Sequence, residues 1–377
     1  MRVAIIKSSY APYGGAEKYA ARMIGAFAAR NVQVDVLTAE SGDWGQTSLD
    51  ARLVSLKQVK YNNLLRLLTF DASVGRYLQK EKYDCILGMD RTSLQTHLRA
   101  GGGVHAAWIA RRCDESSRLR CMSFKVNPFH RAMIEMERKA FLSPGLRRIF
   151  CNSHLVENEI AGFYPGASGK VTVVHNGIEW DELSEAFSGV AAMKSSIVRG
   201  LGLNSGRYYF LFVGNGFERK GLRKAISALK LLPDHVDLLV VGKDKNEKAY
   251  RTLAGKSGLE KRVHFFGLQR NVVPFFQAAD AFILPTIYDP FSNASLEALA
   301  MGLYLVTSSA NGCCEVIDKG AGCIIQDLRD TGSVAEAMNR ALKDHISKDR
   351  IRESVRHLDF TTQLNRIVDM CIEDGRK

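Results

Sequence analysis

The chain has 377 residues, 46% of them apolar and 24% charged, with a formal net charge of +12. That length and apolar content exceed one ordinary core and predict two domains, each burying its own sheet. No run approaches the ~20 apolar residues of a membrane-spanning helix, and the apolar run after Met1 and Arg2 is too short for a signal peptide, so a cytoplasmic protein is expected.

Val3 to Ile6 reads as a buried strand; the loop from Ser8 to Gly15 leads into a helix from about Ala16 to Arg30, and Val32 to Leu37 forms the next strand. Further strands are expected at 85–88, 149–152 and 171–174, after which Gly177 to Trp180 begins a connection. A polar helical stretch follows, and the pattern restarts with strand 208–214, helix 222–232, strand 236–242, helix 247–257, strand 263–267 and helix 272–279. Strand 281–284, helix 293–301 and strand 303–307 complete it, and a last helix from about Phe360 to Cys371 could pack on either lobe. Strands alternating with helices of these lengths predict an α/β protein of two Rossmann-like, doubly wound parallel-sheet domains. Two such domains facing a central cleft would gather ligand loops at the carboxyl ends of their strands.

The charge is uneven. Residues 99–148 hold eleven Lys and Arg against Asp114, Glu115, Glu135 and Glu137, a local excess of +7. Such a stretch suits nucleic acid, an acidic lipid surface or a phosphorylated substrate, or is simply a solvated helix face. The eight cysteines show no C-x-x-C spacing and read as reduced, mostly buried thiols, with neither a zinc site nor a disulfide framework indicated.

Gly14 and Gly15, at the first strand-to-helix turn, let backbone approach a ligand closely, although a tight turn alone would explain them. Their context is not G-x-G-x-x-G, which disfavours a nicotinamide or flavin cofactor. In the second half, Gly214 to Gly221 follows a strand and opens a helix: glycines free the backbone, and Arg219 and Lys220 can neutralise a diphosphate. The Walker A pattern is not met. A third candidate is the triple glycine 101–103 with His105, which could donate to a phosphate or act on a hydroxyl, or serve structure.

The most informative segment runs from Ala281 to Gly302, a short apolar strand, a polar loop and a helix carrying Asp289 and Glu297. Both acids can face one ligand over the strand end, and ionised carboxylates offer only acceptors, which suits a hydroxyl-rich sugar. The helix N-terminus near Ser292 and Asn293 adds N–H groups that favour phosphate. Alternatively, Asp289 caps the coming helix and Glu297 is a surface acid. No D-x-D is present and no His, Asp and Glu cluster has metal spacing, so no metal ion or other cofactor is expected.

Together, Gly14, Gly15 and Glu17, the loop Gly214 to Gly221 and the segment Asp289 to Gly302 resemble retaining glycosyltransferases of family 4, which have the GT-B fold; within it the chain is similar to lipopolysaccharide core glucosyltransferases. The resemblance covers essentially the whole chain and implies an N-terminal acceptor domain (1–185), a C-terminal nucleotide-sugar domain (186–358) and a C-terminal helix (359–377) that crosses back to the first. It implies that Glu297 holds the ribose, that Asp289, Pro290, Phe291, Ser292 and Asn293 hold sugar hydroxyls and diphosphate, and that Arg219 and Lys220 bind the diphosphate beside Gly214. Gly14 and Gly15 would lie against the donor phosphate and His105 near sugar and acceptor. Asp289 stands where the family's pair carries a glutamate one methylene longer, and Asn215 where many members carry an arginine. The implied activity is hexose transfer, with retention, from a nucleotide-diphosphate sugar such as UDP-glucose to a lipid-linked saccharide. The region 99–148 would seat a peripheral enzyme on the anionic inner face of the cytoplasmic membrane. A soluble acceptor or a GDP-mannose donor is the alternative. A non-catalytic nucleotide- or nucleic-acid-binding protein is disfavoured by the missing aromatic-rich basic motifs.

Overall fold

In the computed structural model, which describes residues 1–9, 15–40, 51–344 and 346–377, strand and helix alternate as the hydrophobic pattern requires. Contacts divide the chain into two units, one of Met1–His175 with Thr361–Lys377 and the other of Asn176–Phe360.

The first unit contains β1 (Arg2–Ile6), α1 (Gly15–Ala28), β2 (Gln33–Thr38), β3 (Ala51–Ser55), α2 (Asn63–Leu78), β4 (Cys85–Gly88) and β5 (His97–Arg99). It continues with α3 (His105–Asp114), α4 (Arg118–Val126), α5 (Pro128–Phe141), β6 (Arg148–Cys151), α6 (His154–Phe163) and β7 (Val171–Val173). The seven strands are parallel in the order β3-β2-β1-β4-β5-β6-β7. β1 buries Val3, Ala4, Ile5 and Ile6 on both faces, the continuous apolar run expected of a central parallel strand. Two strands of this unit, like β13 (Gly322–Ile325) of the second, fall outside the expected pattern. β3 is a largely exposed edge, and β5 is three residues long with His and Arg at its ends.

The second unit contains α7 (Trp180–Phe187), α8 (Val190–Gly200), β8 (Tyr208–Val213), α9 (Phe217–Lys220), α10 (Leu222–Leu229), β9 (Val236–Val241), α11 (Glu247–Lys256) and β10 (Val263–Gly267). There follow α12 (Val273–Ala278), β11 (Ala281–Leu284), α13 (Asn293–Ala300), β12 (Tyr304–Ser308), β13 (Gly322–Ile325), α14 (Thr331–Lys343) and α15 (Lys348–Glu353). Its six strands are parallel, ordered β10-β9-β8-β11-β12-β13, and strand order reverses between β8 and β11. That reversal is the topological switch point at which open α/β sheets bind ligands. Ile178 and Leu183 are buried in this unit's core, so the change of unit falls between His175 and Asn176 rather than at residue 185. The last helix, α16 (Phe360–Arg376), belongs from Thr361 onward to the first unit.

The cysteine reading needs one correction: Cys113 and Cys121 are joined in a disulfide, their Cα atoms 4.6 Å apart. The turn between α3 and α4 folds the two helices together, and Cys113 at the end of one meets Cys121 in the next. Cys85, Cys151, Cys313, Cys314, Cys323 and Cys371 are not in a disulfide.

Candidate active site

At the switch point of the second unit the chain leaves β8 through Gly214, makes the four-residue α9 and enters α10 through Gly221. Gly221 has φ +81°, and a Cβ there would lie 1.9 Å from the Pro285 carbonyl oxygen. Only glycine permits this contact, which draws the end of α9 against the end of β11. Two backbone-directed bonds hold the junction: Thr286 Oγ1 donates to Arg219 O at 2.8 Å, and the Ile287 N–H donates to the same oxygen at 3.0 Å.

Arg219 and Lys220 are thereby aimed at Asp289. The Lys220 ammonium donates to Asp289 Oδ2, and Arg219 Nη1 donates to that oxygen at 3.4 Å and to the Tyr288 carbonyl at 2.9 Å. Lys220 and Asp289 are buried, whereas the Arg219 side chain is 36% exposed, so Arg219 is the more accessible cation. Burial pushes the Lys220 ammonium below its ordinary pKa, with Asp289 opposing the shift.

Beyond Asp289, Pro290 and Phe291 are buried and Ser292 caps α13, its Oγ accepting from Ser295 N at 3.3 Å. The cap is therefore Ser292 and not Asp289. α13 buries Ser295, Leu296, Ala298, Leu299 and Ala300, so its open face carries Asn293, Ala294 and Glu297. Asn293 and Glu297 are one helical turn apart, which stacks a polar amide and a carboxylate beside the first-turn N–H groups. Asn176 Nδ2 donates to Asn293 Oδ1 at 2.8 Å.

The Gly214 loop differs from its expected form in one respect. The N-terminus of α9 is already occupied by a carboxylate, because Asp244 Oδ2 accepts the Phe217 N–H at 2.7 Å. A four-residue helix also sums little dipole, so the α9 N-terminus suits a phosphate less than its glycines suggest.

The first unit assembles its own polar cluster. The triple glycine leads to α3, whose N-terminus receives the buried Glu137 of α5: His105 N donates to Glu137 Oε1 at 2.5 Å and Ala106 N to Oε2 at 3.3 Å. Arg91 Nε at 3.1 Å and the Tyr164 hydroxyl at 3.2 Å complete the Glu137 shell. His105 Nε2 lies 3.0 Å from His130 Nδ1. Burial, with Arg91 and His130 nearby, holds the His105 pKa down to about 3, so the ring is neutral and offers both a donor and an acceptor. At the end of β6, Asn152 Nδ2 donates to Gly101 O at 3.1 Å while its buried Oδ1 has no partner among the described residues. An orphaned acceptor at the carboxyl end of a strand fits a ligand hydroxyl. Gly15 opens α1, and Gly14 lies outside the described residues.

Comparison with known proteins matches residues 13–182 to the profile described as glycosyltransferase family 4 and residues 193–358 to that of glycosyl transferases group 1. The chain is a GT-B glycosyltransferase. Over 97% of its length it is 26% identical to the lipopolysaccharide glucosyltransferase WaaG of Escherichia coli K12, 96% of which is covered. The crystal structure of WaaG, a glycosyltransferase involved in lipopolysaccharide biosynthesis, superposes with a TM-score of 0.80 at 23% identity, covering 98% of this chain and 99% of that one. Anabaena Alr3699/HepE, solved in complex with UDP and glucose, superposes with a TM-score of 0.71 at 17% identity, with 99% of both chains covered.

In this glycosyltransferase several site-building residues carry no motif. Asn311, fully buried, accepts from Ser292 N at 3.2 Å and Cys313 N at 3.1 Å through Oδ1, and donates through Nδ2 to Ser295 Oγ and Thr307 Oγ1. All four of its hydrogen-bonding positions are used to fix the entry of α13. Asp289 N donates to Ala310 O and Gly312 N to Asp289 O, each at 2.9 Å, so the loop of Asn311 also sets the backbone of Asp289. Asn311 follows β12 by three residues, and a polar residue after a predicted strand was the one available signal.

Proposed function

We propose that this glycosyltransferase moves a hexose, with retention at the anomeric carbon, from a nucleoside diphosphate sugar such as UDP-glucose to a hydroxyl of a lipid-linked saccharide of the lipopolysaccharide core type. The observation that carries the reading is the juxtaposition at one switch point of the Arg219, Lys220 and Asp289 cluster with the open face of α13. Cations for a diphosphate and a carboxylate for ribose hydroxyls stand there together. The full-length likeness to a lipopolysaccharide glucosyltransferase supports the acceptor class, and the UDP and glucose bound by a structural neighbour support the donor.

In this reading Glu297 accepts hydrogen bonds from the ribose, and Asn293 with the first turn of α13 faces the diphosphate. Arg219 meets the charge that grows on the leaving phosphate, and Lys220 adds positive potential from behind while Asp289 keeps it protonated. The bond from C1 to the phosphate oxygen breaks as the bond from C1 to the acceptor oxygen forms. The acceptor proton passes to the departing phosphate oxygen. No enzymic nucleophile and no metal ion is invoked. In the first unit, neutral His105 and the Asn152 Oδ1 offer hydrogen bonds to a saccharide hydroxyl.

The same reading assigns α4 to an anionic bilayer surface. Leu119, Met122 and Val126, all exposed, recur at helical spacing on one stripe of α4, and Arg118, Arg120 and Lys125 stand on the same helix. Phe124 is the buried residue that docks it. An apolar stripe flanked by basic side chains is the pattern of a helix lying in a lipid interface. Among the described residues no helix is long and apolar enough to cross a membrane.

The test is incubation with a core-truncated lipopolysaccharide and a panel of nucleotide sugars, read by mass spectrometry and by the anomeric coupling of the product. The expected outcome is one added hexose, in the donor's anomeric configuration, from a UDP-sugar. Transfer confined to soluble acceptors, or inversion, would overturn the proposal. Arg219→Ala should lower turnover far more than it weakens UDP binding.

A further inference from the structure

At the amino ends of β4 and β5 the first unit buries three metal-ligating side chains together. Cys85 on β4, His97 on β5 and Cys371 on α16 are each fully buried, and their ligand atoms all lie within 4.8 Å of one another. Cys85 Sγ is 3.3 Å from His97 Nδ1. The other ring nitrogen, Nε2, is 3.3 Å from Asp374 Oδ2, and Asp374 is held by Arg148 through Nε at 2.8 Å and Nη2 at 3.2 Å. Arg148 pairs with both oxygens of Asp374, whose carboxylate faces Nε2 as an acceptor. The His97 proton therefore belongs on Nε2, and the Nδ1 lone pair points toward the thiols. A histidine oriented by a carboxylate on its far nitrogen is the arrangement that metal-ligating histidines adopt.

We propose that Cys85, His97 and Cys371 form a structural site for one soft divalent cation of the zinc class, which fastens the C-terminal helix to the sheet of the first unit. Tetrahedral zinc places a sulfur and a nitrogen ligand about 3.6 Å apart and two sulfurs about 3.8 Å apart, separations that fall inside the 4.8 Å span of the cluster. Two thiolates and one imidazole favour a thiophilic ion over magnesium or calcium. Binding displaces one proton from each cysteine, and the two thiolates cancel the charge of the divalent ion, so no net charge is buried. Thr96 Oγ1, 2.9 Å from Nδ1, releases that nitrogen by turning to Ile86 O at 3.3 Å. A disulfide between Cys85 and Cys371 would make no use of the oriented imidazole.

The experiment uses the full-length protein in a Cys113→Ser, Cys121→Ser background, purified under reduction, stripped with a chelator and titrated with Co²⁺ as the spectroscopic probe and then Zn²⁺. The expected result is a thiolate-to-cobalt charge-transfer band that saturates at one equivalent and is bleached by Zn²⁺. Cys371→Ser removes the band. Asp374→Asn retains it but weakens affinity about 10–100-fold, a loss that a merely adjacent carboxylate would not cause. Circular dichroism confirms that each variant is folded, and Asp374→Asn carries the test where Cys371→Ser is not. Absence of the band in the reduced parent, an undiminished band in Cys371→Ser, unchanged affinity in Asp374→Asn, or a Cys85–Cys371 disulfide in peptide maps of the untreated protein would each overturn the site.

Discussion

Replacing Asp289 with alanine leaves the buried Lys220 ammonium without its main counter-ion. Lys220 is only 9% exposed, and burial already lowers its pKa against the opposing pull of Asp289. Breaking a buried ion pair by removing one partner costs about 3–5 kcal/mol. The protein can instead release the proton, which limits the electrostatic part of the loss. Neutralising a lysine with an ordinary pKa near 10.4 costs about 1.36 kcal/mol per pH unit, hence about 4.6 kcal/mol at pH 7 and about 1.9 kcal/mol at pH 9. The sign follows from linkage. A lysine whose folded pKa is depressed binds fewer protons folded than unfolded, so stability rises with pH between the two values. Asp289→Ala is therefore expected to lose about 3–5 kcal/mol at pH 7, and the deficit should shrink to about 2 kcal/mol at pH 9. Lys220→Met combined with Asp289→Leu should recover at least half of the loss, because no buried charge is then stranded. Urea unfolding followed by tryptophan fluorescence measures this in a Trp44→Phe, Trp108→Phe background, where Trp180 of the second unit is the remaining indole. A pH 7 deficit below about 1 kcal/mol, or one that grows toward pH 9, would refute the reasoning.

Gly221→Ala forces a Cβ against the Pro285 carbonyl at a positive φ, and should cost over about 3 kcal/mol in the same urea assay, with nucleotide binding lost in parallel. Glu137→Ala strips the α3 N-terminus of its cap and takes one of two partners from Arg91, which keeps the Gly103 carbonyl, so a loss of about 1–3 kcal/mol is expected from thermal unfolding, whereas Glu137→Gln should lose less because it keeps one acceptor. His105, with a pKa of about 3 in the fold, binds fewer protons folded than unfolded between pH 3 and about 6.5. Stability of the first unit should rise with pH through that window, and His105→Gln should flatten that slope in acid titrations. Replacing Leu119, Met122 and Val126 together with serine should weaken sedimentation with anionic vesicles at least tenfold without changing turnover of a detergent-dispersed acceptor, and equal sedimentation with neutral vesicles would discount the electrostatic part.

Interactions between neighbours in the chain were legible from the sequence alone. Val3 to Ile6, Tyr208 to Val213 and Ala281 to Leu284 announce buried parallel strands by apolar runs, and Asp289 and Glu297 are read together because one loop and the start of one helix connect them. Arg219, Lys220 and Gly221 are likewise a local turn whose composition states its geometry. β3 and β5 gave no such signal, because an exposed edge and a three-residue strand need little apolar content.

Tertiary structure alone decided which charges are already spent. Asp244 fills the N-terminus of α9 from across β9, and Glu137 fills that of α3 from 32 residues downstream; neither has a spacing rule, since each partner arrives through a separate helix or strand. The same holds for Asn311, which fixes α13 from beyond β12, and for Cys113 with Cys121, whose helices meet at a turn. It holds most plainly for Cys85, His97 and Cys371, separated by up to 286 positions and brought within one coordination sphere because the chain's last helix returns to the sheet it began with. A hydrophobic pattern reports what each segment must bury. Which polar groups are buried together depends on how the segments pack, and that is a property of the fold.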